Sequence, residues 1–211
     1  MKKTIFFMLS ICVLSFALSA KTTVNKSIHI QQGERHAGGL TSVNGSITVE
    51  EDAEISGSCK TVNGSIRIEE ECTVRGVHSV NGTIRIGEET EVKSDIETVN
   101  GSIDCEQGVY VDGNIQTVNG AIKLAGTQVE DDITTYNGSI TLTENTIVHE
   151  DIIVKDGKGN NNRRKPLRII VDNSIVEGDI VNREEDIEVI VYLRNGGRVN
   201  GEIYDAIVEE E

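Results

Sequence analysis

Aromatic side chains are nearly missing from this chain. Among its 211 residues there is no tryptophan, and Phe6, Phe7 and Phe16 fall within the first twenty positions together with both methionines. Beyond that point the aromatics are Tyr110, Tyr136, Tyr192 and Tyr204. A core without Phe, Trp or Met must be built from Val, Ile and Leu, which suits narrow stacked coils better than a compact globular domain. Catalytic signatures are missing too. No Gly-x-Ser-x-Gly elbow and no phosphate-binding loop occurs. His29, His36, His78 and His149 stand at no metal-ligand spacing from each other or from a cysteine, so surface or corner positions are expected for them. No enzyme activity, no cofactor and no metal is expected.

Positive charge is scarce: 20 Lys and Arg face 35 Asp and Glu, for a net charge of −15. The one long apolar run, Ile5 to Leu18, follows Met1-Lys2-Lys3 and precedes Ser19-Ala20. A basic start, a short apolar stretch and small residues read as a secretory signal peptide over residues 1–20, with cleavage expected after Ala20 and cleavage after Ser19 as the alternative. The run is too short for a membrane span, and nothing later is apolar enough for one. Without residues 1–20 the chain loses two lysines and no acid, leaving 18 bases against 35 acids, a charge of −17. Such a surface repels nucleic acid and anionic lipid.

What is present is a repeat. Val-Asn-Gly-Ser-Ile or a close variant recurs, with asparagines at 25, 44, 63, 81, 100, 119 and 137, spaced by 19, 19, 18, 19, 19 and 18 residues. Between the copies lies a second box, apolar-x-Gly/Asp-x-apolar, as in Val92 to Ile96, Val111 to Ile115, Val176 to Ile180 and Val199 to Ile203. Alternation of period two, as in Ser65-Ile66-Arg67-Ile68, marks short half-buried strands. One such unit cannot bury its apolar face alone, but stacked units can. The expected fold is therefore all-β: a single-stranded parallel β-helix, or β-solenoid, of about nine coils of 18–19 residues over 21–211. Spacing that is not a strict multiple of six and the preferred hand of parallel connections favour a right-handed form. Val62, Ile66, Ile68, Val74 and Val80 are expected to face inward, and Arg67, Glu69, Arg85 and Glu97 outward.

In register, Asn44, Asn63, Asn81, Asn100, Asn119 and Asn137 form a column, followed by Gly45, Gly64, Gly82, Gly101, Gly120 and Gly138. Asparagine tolerates a left-handed turn, its amide can bond to the next one along the axis, and glycine removes Cβ at the bend. This ladder is expected at a buried corner. The Asn-Gly-Ser/Thr triplets also match glycosylation acceptors, but turn chemistry accounts for them. Thr61, Thr98, Thr117 and Thr135, beside Ser42 and Ser79, read as β-propensity. Cys59, Cys72 and Cys105 fall in different slots of the repeat and are expected as buried free thiols.

The acidic runs Glu50-Glu51-Asp52, Glu69-Glu70-Glu71 and Glu88-Glu89 predict a column of carboxylates on one edge. A solvated edge is the plain reading, and divalent-cation binding the functional one. The period breaks once, at a basic insertion over 155–168 that includes Lys158, Arg163, Arg164 and Lys165, candidates for an interaction loop. Irregular terminal coils follow over 169–208, and the acidic Glu209-Glu210-Glu211 is set against the addition of another strand.

The Val-Asn-Gly-Ser-Ile coils, the leader and the polar insertion resemble bacterial adhesin-type β-strand-repeat proteins, a family of unknown function. The Val-x-Gly-Asp-Ile boxes resemble bactofilins, polymer-forming cytoskeletal β-helices. Neither resemblance supplies a catalytic motif. They imply a structural or adhesive element, and the leader over residues 1–20 implies an exported one, periplasmic, cell-surface or extracellular. Its expected partners are further copies of itself or a cell-surface glycan or protein. The alternative is a cell-envelope binding module for a glycan or a divalent cation.

Overall fold

The computed structural model describes residues 20–155, 166–184 and 186–210. The chain winds as a β-solenoid whose 29 strands, numbered β1 to β29 in chain order, belong to three parallel sheets of ten, ten and nine strands. The first coil is β1 (Lys21–Thr23), β2 (Ile28–Ile30) and β3 (Arg35–His36). Eight further coils repeat this order through β27 (Arg198–Val199), and β28 (Ile203–Tyr204) and β29 (Ile207–Glu210) close the described chain. No helix occurs among the described residues. At roughly 4.8 Å per rung, nine coils stand about 43 Å tall.

Each strand inside a sheet bonds to its equivalents one coil below and one coil above, and each terminal strand to one, so like residues stack on like. The register Ile47↔Ile66↔Ile84↔Ile103↔Ile122↔Ile140↔Ile169 runs unbroken through the second sheet. Each of these isoleucines is fully buried. A fully buried Ile contributes about 1.5–3 kcal/mol by removal from water, so such columns supply most of the driving force. Val74, Val92, Val111, Val129, Val148 and Val176 form the matching column of the third sheet, whose two-residue strands are little more than a rung each.

Ile66, Ile68 and Val74 face inward, and Arg67, Glu69, Arg85 and Glu97 face outward or lie half-buried at the surface. Val62 and Val80 depart from the expectation. In the strands Cys59–Asn63 and Val77–Asn81 the inward positions are Cys59 and Thr61, and Val77 and Ser79; Val62 and Val80 are half-buried on the outer side. From Ser42 to Thr135 the buried slot near the corner holds a hydroxyl that meets a backbone carbonyl, which sets the phase of the alternation, and only where the insertion begins does Val154 take it.

The insertion leaves at the corner between the first and second sheets. Strand β22 ends at Val154, and the Lys155 N–H still bonds to the Thr135 carbonyl at 2.9 Å. The next strand, β23 (Leu167–Asp172), already contains Arg168 and buries Leu167 against Val189 of β26 (Val189–Arg194).

Candidate functional site

Three corners separate the sheets, and each carries a column of its own. At the first, Asn44 donates to Asn25, Asn63 to Asn44, Asn81 to Asn63, Asn100 to Asn81 and Asn119 to Asn100, each at 2.9 Å, and Asn137 to Asn119 at 3.0 Å. The ladder lies on the surface, with Asn100 exposed, and is not a buried corner. None of its asparagines or of the following glycines has a positive φ. The glycines are required by close approach: a Cβ on Gly101 would meet the Gly82 carbonyl and one on Gly120 the Gly101 carbonyl. Beneath the ladder is the hydroxyl column. Thr61 donates to the Gly45 carbonyl at 2.9 Å, Thr98 to Gly82 and Thr117 to Gly101 at 3.2 Å, and Ser79 to Gly64 at 3.3 Å. These hydroxyls are buried, so the threonines are corner locks as well as strand formers.

The second corner holds the acidic runs. Here the left-handed conformation does occur, at Asp52 (φ 56°), Glu71 (54°) and Glu89 (53°), where other coils place Gly33, Gly108 and Gly126. The carboxylates crowd along the axis. Desolvation by the neighbouring coils, then the charges of Glu88, Glu51, Glu106 and Glu71, raise the carboxyl of the exposed Glu70 above its ordinary value of 4.5. Among the described residues no three His, Cys, Asp or Glu side chains converge as a metal would need.

The third corner carries a ladder that the sequence reading missed. Asp95 accepts the Asn114 N–H at 2.9 Å, Asp132 that of Asp151 at 3.1 Å, Asp151 that of Asp179 at 2.8 Å, and Asp179 that of Glu202 at 2.8 Å. The signal was an acid or asparagine directly before each isoleucine of the first sheet: Asp95-Ile96, Asn114-Ile115, Asp132-Ile133, Asp151-Ile152 and Asp179-Ile180.

The thiols of Cys59, Cys72 and Cys105 are free and buried. Burial, with Cys72 adding to it, pushes the Cys59 thiol up to about 12. Cys72 and Cys105 are raised by the same first cause. The histidines are dispersed: His29 lies 3.5 Å from Glu50, His78 lies 3.2 Å from Glu97, and His149 lies 2.7 Å from Glu177. His36 occupies the register position of the core residue Ile55. Lys158, Arg163, Arg164 and Lys165 lie outside the described residues. The larger surface hollow, about 310 Å³, is open and lined by Glu54, Ile55, Ser56, Thr73, Arg75 and Lys93.

The outer faces of the sheets change character along the rod. On the first sheet the outward column reads Thr41, Lys60, His78, Glu97, Gln116, Thr134 and then Ile153, Val181, Tyr204. On the second, Arg67, Arg85, Asp104, Lys123 and Thr141 give way to Ile170 and Tyr192, and the column ends in Glu209. On the third, Glu54, Thr73, Glu91, Tyr110 and Gln128 give way to Ile147 and Ile175, and the column ends in Arg198. No helix among the described residues is long and apolar enough to cross a membrane. The chain matches no protein-family model, no curated protein and no solved structure.

Proposed function

We propose that this chain is an exported structural or adhesive rod that acts through its surface and by joining copies of itself, without catalysis. The observation that carries the reading is the change of outer face from polar to apolar over the seventh to ninth coils, on all three sheets. Val181, Ile170, Tyr192, Ile147 and Ile175, all half-buried, occupy outward-facing positions whose equivalents nearer the start of the chain are charged or polar, while Ile153 in the same column as Val181 is buried. Half-buried apolar side chains on the outer faces of all three sheets near one end favour association, because a contact removes what remains exposed of them from water. The three sheets continue through every coil, and such a stack resists bending and transmits load along its axis. Export rests on the leader read from residues 1–20.

Light scattering of the purified protein tests self-association. The mean mass is expected to rise with concentration across the micromolar range. A monomer at every concentration up to the solubility limit sinks the reading.

A further inference from the structure

Among the described residues nothing covers the last coil. Val208 stands in the core column directly above Val191, yet it is 43% exposed where Val191 is 0%. Ile207 and Tyr204 beside it are 48% and 46% exposed. Strands β28 and β29 each have an outer edge with no partner strand among the described residues. Open edges of this kind are templates for further strands.

We infer that the partner which covers this end is the first coil of a second copy, added head to tail; the inference rests on the proposed self-association. The register points to it. Strand β1 begins the same sheet that β28 ends, and β2 the same sheet that β29 ends. A following molecule therefore continues two sheets, with Ile28 falling into the column of Val208.

Charge decides which ends meet. The first coil carries Lys21, Lys26 and Arg35 against one acid, Glu34. Among the described residues the last carries Glu202, Asp205, Glu209 and Glu210 against one base, Arg198. The charges reach the core positions: Lys21 sits in register with Leu40, and Glu210 with Leu193. Tail against tail brings four carboxylates onto four, and head against head stacks three cations. Only head to tail sets cations against carboxylates and also covers Val208. The acidic tail thus turns away a like end and admits an unlike one.

Reversal of charge at each end tests this. The tail variant is Glu209→Lys with Glu210→Lys, and the head variant is Lys21→Glu with Lys26→Glu. Light scattering is read at about 0.1 M salt, where a screening length of about 10 Å mutes repulsion between the acidic bodies but leaves end contacts intact. Each variant alone is expected to associate at least tenfold more weakly than the unmodified chain, and their equimolar mixture to recover association. Unchanged β-sheet spectra and melting temperatures establish that both variants are folded. A variant that associates alone as well as the unmodified chain overturns the head-to-tail inference and leaves self-association standing. So does a mixture of folded variants that fails to recover. An unmodified chain that stays monomeric overturns both.

Discussion

A buried hydroxyl and an exposed amide stand a few residues apart at the first corner, and they contribute differently. Thr117 is fully buried and donates to the Gly101 carbonyl at 3.2 Å. Thr117→Val keeps the shape and removes the donor, so that carbonyl loses its partner away from water. The expected loss is about 1–3 kcal/mol. Asn100 donates to Asn81 and accepts from Asn119, but it lies in water, which replaces what Asn100→Ala removes. The expected loss there is about 1 kcal/mol or less, since exposed bonds are replaced by bonds to solvent. Urea unfolding of the two variants checks the order. If Asn100→Ala costs more, the amide ladder and not the hydroxyl column fixes this corner.

At the scale of the element, the repeat made the coils legible, because strand length, alternation and turn residues recur in phase. The phase within a strand was harder to read. In Lys60-Thr61-Val62 both Thr61 and Val62 favour strands, and hydropathy alone puts valine inside. The hydrogen-bonding need of the Gly45 carbonyl, invisible in a pattern of polar and apolar letters, puts threonine there. The left-handed position was misplaced for a related reason. Asn-Gly suggests it at the first corner, yet the backbone adopts it at the acidic corner, where Glu89 has φ 53°. Glycine at the equivalent Gly108 and Gly126 was the available signal. A left-handed L-residue costs about 1–2 kcal/mol, and glycine carries an entropic cost of about 0.5–1 kcal/mol on folding. Glu89→Gly is therefore expected to raise stability by up to about 1 kcal/mol, helped by the loss of one charge from a crowded row. The neighbouring Glu88→Gly, with no positive φ to relieve, is expected to bring no such gain. Equal effects of the two in thermal unfolding would remove backbone strain from the account.

Taken whole, the molecule is one-dimensional: each coil touches the coil below and the coil above, and the value of a side chain depends on whether both are present. Val191 and Val208 isolate that dependence. They are the same residue, in adjacent coils and directly paired. Val191 is covered on both sides and 0% exposed, whereas Val208 is covered on one and 43% exposed. Truncation of Val191 to alanine removes two methyl groups from a closed core and leaves a cavity, for an expected loss of about 2 kcal/mol or more. Truncation of Val208 removes groups that already meet water, for a loss within about 0.5 kcal/mol in the dilute monomer. Thermal unfolding at low concentration measures both. Equal losses would mean that the last coil is covered in the monomer, and the exposed end would then have to be sought elsewhere on the rod.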